Sequence, residues 1–178
     1  MTSLLPRLID TPVLETARLI LRAPQPADLP AYTDYVTSPR TLYVGGPDTP
    51  TRAHERLCSM IGQWVMRGFG RWIMIDRATG ASLGHVGPMQ YDDARAPELT
   101  WTLWPADAEG KGFALEGALA ARDHLFGPMG WPEICAVIHH DNARSIALAR
   151  KLGGTLDPEA PSWMAKGTVF RFTASAAA

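Results

Sequence analysis

The residues best suited to chemistry lie between Glu109 and Glu116, in the run Glu-Gly-Lys-Gly-Phe-Ala-Leu-Glu. Two glycines one residue apart, Gly110 and Gly112, open an apolar-periodic segment with helical spacing. A strand-like run, Leu99-Thr-Trp-Thr-Leu103, precedes them and is closed by Trp104-Pro105. The first amide N–H groups of a helix have no internal acceptor. The helix dipole adds partial positive charge at the same end. Glycine lets the backbone bend and lets an anion come close. A strand, a glycine turn and a helix start therefore make a seat for a pyrophosphate, although the same residues also suit a plain structural turn. Two nucleotide motifs are excluded. No Gly-Lys-Ser/Thr follows, and G-x-G-x-x-G would need a glycine where Leu115 stands.

Composition narrows the partners. At 178 residues the chain is sized for one domain with a substantial core. A net charge of −1 gives no basic surface for nucleic acid or acidic membrane. No apolar run approaches the roughly 18 residues of a membrane span, and Met1 to Arg7 lack the apolar stretch of a signal peptide. Cys58 and Cys135 fall inside predicted elements without metal-ligand spacing, which fits a reduced, cytoplasmic protein with no metal.

The elements that must position the turn read as follows. A first strand spans Leu14 to Arg22, ended by Pro24 and Pro26. A short helix runs from Asp28 to Val36. A second begins near Thr49 to Thr51, with Leu57, Met60, Ile61, Trp64 and Val65 at steps of three and four. Arg71 to Asp76 and Leu83 to Met89 form a hairpin about Gly80. The fourth strand follows through Leu103, then a helix from Phe113 and a fifth strand over Glu133 to Ile138. A helix from Asn142 to Leu152 and a last strand over Val169 to Phe172 complete the chain.

The local signatures in this order resemble the GNAT superfamily of acyl-CoA N-acyltransferases, in the branch of the RimJ and RimL ribosomal-protein N-acetyltransferases. Leu14-Glu-Thr-Ala-Arg-Leu-Ile-Leu-Arg22 is similar to that branch's first strand. Gly68-Phe-Gly-Arg-Trp72 with Thr79-Gly80 and Leu83-Gly84 is similar to its central hairpin. Glu109-Gly-Lys-Gly-Phe-Ala114 resembles the CoA-pyrophosphate turn, and Asn142-Ala-Arg-Ser145 with Lys151-Leu-Gly153 the last family motif. The resemblance implies a mixed α/β (α+β) GNAT fold. Its twisted, mostly antiparallel sheet would have six to seven strands, a splay between the fourth and fifth, and helices on both faces. One domain would span 14–172, between an N-terminal extension, 1–13, and a frayed tail, 173–178.

The resemblance also implies a reaction: acetyl transfer from acetyl-CoA to a primary amine, by direct attack in a ternary complex. The acceptor would be a protein N-terminus or a small-molecule amine, and dimers are common among relatives. Backbone N–H groups from Gly110 through Lys111, Gly112, Phe113 and Ala114 would bind the pyrophosphate, with Lys111 adding a charge-assisted contact. Pantetheine would slot between the splayed strands, pairing with the fourth like an added strand. An N–H near Trp101 to Leu103 would polarise the thioester carbonyl. Asn142 would hydrogen-bond the pantetheine.

Neutral amine must attack, so a base helps. Glu98, at the start of the fourth strand, is the candidate, against the alternative of a solvated strand-end acid. His139 or His140 could relay a proton or be structural. Two positions depart from the family pattern. Glu109 stands where Gln or Arg is usual, and an outward rotamer would spare the pyrophosphate. Ala149 stands where many members carry a tyrosine acid. Ser145, one turn earlier, is then the candidate acid, or only a cap. The missing tyrosine also leaves open a module that binds acyl-CoA without turnover. Trp101 and Trp104 are expected to flank the cleft, and the loops 39–50 and 91–97 to wall its acceptor side. Asp92, Asp93 and Glu98 would favour a cationic amine, partly offset by Arg95.

Overall fold

The structure, a computed structural model, describes residues 11–174. The expected extension and tail therefore lie outside the described residues up to residue 10 and from residue 175. No helix among the described residues is long and apolar enough to cross a membrane.

The expected first strand is two. The Thr16 hydroxyl and N–H both bond the Leu19 carbonyl, turning the chain so that β1 (Leu14–Glu15) pairs antiparallel with β2 (Leu19–Arg22). Two helices follow, α1 (Leu29–Val36) and α2 (Pro50–Arg67). Thr49 caps α2 by accepting from the Arg52 N–H at 3.2 Å, and Gly68 ends it in the left-handed region. The predicted hairpin is β3 (Trp72–Asp76) with β4 (Ser82–Met89), continued by β5 (Glu98–Leu103). Then come α3 (Phe113–Phe126), β6 (Glu133–His139), α4 (Ala143–Lys151), β7 (Thr155–Asp157) and β8 (Gly167–Thr173).

Among the described residues, eight strands join one sheet in the order β1-β2-β3-β4-β5-β6-β8-β7, and β5–β6 is its parallel pair. The count exceeds six to seven because the first strand is split and because β7 is short and mostly exposed. Three residues are too few to show alternation. Pleating sends successive side chains to opposite faces. Trp72 and Met74 join Leu19, Leu21 and the α3 residues Ala118, Ala121 and Leu125. Ile73, between them, packs with Tyr32, Leu57, Met60 and Trp104 under α1 and α2. Helices thus cover both faces, as expected.

The splay is present. β4 and β5 stay in register from Gly84↔Leu103 to Met89↔Glu98, whereas β5 and β6 meet only at Glu98↔Cys135. Beyond that rung the strands part.

Candidate active site

The open edge of β5 faces the splay. Trp104 donates its N–H to Leu83 O at 2.8 Å, on the β4 side. Antiparallel alternation then turns the N–H groups of Trp101 and Leu103 to the other side, toward β6. The Leu103 side chain packs on the core, and its carbonyl accepts from Arg40 Nη2 at 3.3 Å. Across the gap, the Trp101 indole N–H donates to Ser145 Oγ at 3.3 Å. Asn142 caps α4, its Oδ1 accepting from the Ser145 N–H at 3.2 Å. That leaves the Asn142 amide NH2 as the group it can offer. The structure thus brings Trp101, Asn142 and Ser145 together at one end of a cleft of about 590 Å³. Ala149 is fully buried in the core, so the hydroxyl that α4 presents at the splay is Ser145.

Beside the gap lies the glycine turn. Gly110 and Gly112 both adopt left-handed backbone, φ 75° and 84°, a conformation other residues enter at a cost. Gly112 is the N-cap of α3 and offers no side-chain cap. Among the described residues, the N–H groups from Gly110 to Ala114 have no acceptor. Lys111 is exposed. A residue not singled out in the sequence anchors this turn. Arg18 donates to the Lys111 carbonyl at 2.8 Å, lies over the Phe113 ring at 4.6 Å, and pairs with Glu116 at 2.6 Å. Glu116 also accepts from the Thr16 hydroxyl and the Arg18 N–H. Burial would raise this carboxyl, but these donors outweigh it and hold it below the usual range. The turn is thereby pinned to the β1–β2 corner.

Glu109 is held rather than swung free. It bridges Arg40 and Arg144, and Arg40 also donates to the Leu103 and Trp104 carbonyls. The Arg40 hydrogen bond, against partial burial, keeps the Glu109 carboxyl below its ordinary range. The acid gathers two guanidinium groups beside the turn, which removes the repulsion expected of it. No local sequence signal links Glu109 to residue 40 or 144.

The other end of the cleft is walled by Tyr32 and Tyr91, with Glu98 and Arg71 set into it. Glu98 is buried, not a solvated strand end. Burial pushes its carboxyl up. The Trp163 indole N–H, donating at 2.9 Å, and the Val137 N–H, at 3.4 Å, partly offset this. Trp163 comes from the loop before β8, which sequence reasoning did not assign to the site. His85 is buried and accepts from Trp104 Nε1 at 3.1 Å through Nδ1. Burial, then Arg71, hold it well below its usual range, so it is neutral near pH 7. His139 lines the cleft and stacks with Tyr43, whereas His140 lies outside the lining.

Two expectations fail here. Trp104 is only 3 % exposed and belongs to the core under α1, so it does not flank the cleft. Asp92 and Asp93 do not line it either. They pair with Arg95 and Arg67 at the surface, which leaves Glu98 as the one of the three expected acids that lines the cleft. Two others hold: Leu42 to Gly45 and Tyr91 contribute to the wall, as the two loops were expected to do.

The family profile described as an acetyltransferase (GNAT) domain matches residues 18–155. The chain belongs to the GNAT family. An acetyltransferase from Agrobacterium tumefaciens strain C58 is 35% identical and superposes with a TM-score of 0.86, over 92% of this chain and 95% of that one. RimL, a ribosomal alpha-N-protein acetyltransferase solved with coenzyme A, has a TM-score of 0.74 over 91% of this chain and 98% of its own. At 15% identity it shares the GNAT fold alone. An uncharacterised Bacillus subtilis protein, YkkB, is 32% identical over 88 residues, which are 48% of this chain and 51% of YkkB. The match thus spans about half of that curated relative. The GNAT profile covers the glycine turn, the splay and α4.

Proposed function

We propose that this chain, through one domain over 14–172, transfers acetyl from acetyl-CoA to a primary amine. The carrying observation is the run of unpaired N–H groups from Gly110 to Ala114 beside a sheet edge that has lost its neighbour. The turn would take the pyrophosphate, with Lys111, Arg18 and Arg144 as nearby cations. Pantetheine would lie along β5, with the Trp101 or Leu103 N–H at the thioester carbonyl and the Asn142 amide on the arm. Glu98, its carboxyl raised by burial, would take the proton from the amine, directly or through water. Ser145 accepts from Trp101, so its own proton is free for the departing thiolate. Neither cysteine lines the cleft, and burial pushes Cys135 up to about 11, which favours direct attack over an acyl-cysteine relay. A cytoplasmic setting and a homodimer go with the reading. A protein N-terminus, as for RimL, is one acceptor class.

The test is calorimetry with CoA on the wild type and on Gly112→Leu. A Cβ there would lie 3.3 Å from Arg18 Nη2 on a positive-φ backbone. CoA binding should fall at least about tenfold with the circular dichroism spectrum retained. Equal binding by both proteins would remove the pyrophosphate assignment. A second reading, an acyl-CoA sensor, is favoured by the absent tyrosine at Ala149. Tight CoA binding without thiol release across an amine panel would select it.

A further inference from the structure

Arg71 is the least satisfied charge among the described residues of the cleft. It is only 7 % exposed and lines the acceptor end. Its guanidinium makes one protein hydrogen bond, from Nη2 to the Tyr91 hydroxyl at 3.1 Å, and its Nε is buried without a partner. Among the described residues no carboxylate lies within ion-pair distance of it, and it stacks on no ring. Its neighbours do not neutralise it. His85 is uncharged. Arg56 is a second cation, already paired with Asp48 at 2.8 Å. Glu98 feels its charge from beyond contact. Tyr91, whose own burial would raise it, is held below its usual range chiefly by Arg71. Removing a guanidinium from water costs several kcal/mol unless a partner compensates, and buried polar groups are otherwise almost always satisfied.

We propose that the acceptor amine carries a carboxylate, and that Arg71 binds it with the Tyr91 hydroxyl beside it, leaving the amine to reach Glu98 and the thioester. The acceptor is then a small zwitterionic amine of amino-acid type. This rests on the acetyltransferase reading of the same cleft. A guanidinium presents parallel N–H donors that match the two oxygens of a carboxylate. With Asp92 and Asp93 spent on surface pairs, Glu98 is the acid that lines the cleft, which suits one ammonium group rather than two.

The experiment uses matched amines, each free amino acid beside its carboxamide and its phosphonate analogue, across α-, β- and aromatic members. Two readouts are taken: kcat/KM for thiol release from acetyl-CoA, and the melting-temperature rise of the CoA-loaded protein. The best acceptors should favour carboxylate over carboxamide by about ten- to a hundredfold, the contribution of a charge-assisted bidentate contact. Arg71→Met should bring that ratio close to one while CoA binds as to the wild type, and Arg71→Lys should retain part of it. A phosphonate preferred over the carboxylate would overturn the carboxylate assignment. So would equal handling of acid and amide in both readouts, including failure of every amino acid to raise the melting temperature. Loss of CoA binding by the wild type would instead strike the parent reading.

Discussion

Arg22 ends β2, Arg71 immediately precedes the adjoining β3, and the two are treated in opposite ways. Arg22, at the end of β2, makes two bonds to Asp28, at 2.9 and 2.8 Å, and a third to the Ala23 carbonyl. Asp28 is 1 % exposed and also accepts from the Gln25 N–H and the Ser82 hydroxyl. That network ties β2, the entry to α1 and β4 together. Arg71, just before β3, is buried as deeply as the core yet meets one neutral hydroxyl. Where the fold itself requires a buried cation, it completes the shell around it. An incomplete shell in a cleft marks a group whose partner arrives from outside.

The largest effect should come from breaking the complete shell. Asp28→Ala leaves Arg22 unpaired and should cost about 3–5 kcal/mol in a denaturant titration. A loss under about 1 kcal/mol would reduce the network to a surface pair. Next, Glu98 contrasts with Asp28 as a buried carboxylate that lacks a cation in contact. Glu98→Gln should lower kcat by roughly 10²- to 10⁴-fold with little change in fold. The wild-type rate should rise with pH through a limb above the ordinary glutamate value of 4.5, and the variant should lose that limb. An unchanged pH profile would dismiss Glu98 as the base.

Smaller effects sharpen the Arg71 side. His85 titrates well below 6.5 when folded, because of burial and then of Arg71. Below pH 6.5 the unfolded chain takes up a proton that the folded one refuses. Stability should therefore fall by roughly 1–2 kcal/mol between pH 7 and pH 5, and His85→Gln should flatten this part of the curve. Arg71→Met should flatten it slightly. It should also shift overall stability by less than about 1 kcal/mol, or raise it, since an apolar side chain replaces an uncompensated cation. A loss as large as that of Asp28→Ala would make Arg71 structural.

The order of elements, the glycine turn and the splayed pair were legible because each is written locally: periodicity, turn residues, helix caps. The sequence misled where a side chain's meaning depends on distant neighbours. Trp101 and Trp104 look alike in one strand end, but pleating and the strand's end put one at the splay and the other under α1. Glu109 reads as repulsive until Arg40 and Arg144 are folded against it. Trp163 reaches Glu98 from 65 positions away, and nothing in its own surroundings says so. Arg71 lay inside the recognised hairpin motif, yet its lack of a carboxylate partner among the described residues exists only in three dimensions.

The single rung between β5 and β6 has a kinetic consequence. The two halves of the sheet part beyond that rung, and a ligand threaded along the seam would stitch them into a continuous wall. The acceptor would then dock against a surface partly built by the first arrival. On the proposed reading the donor should enter before the nucleophile, and dead-end inhibition patterns would report that order.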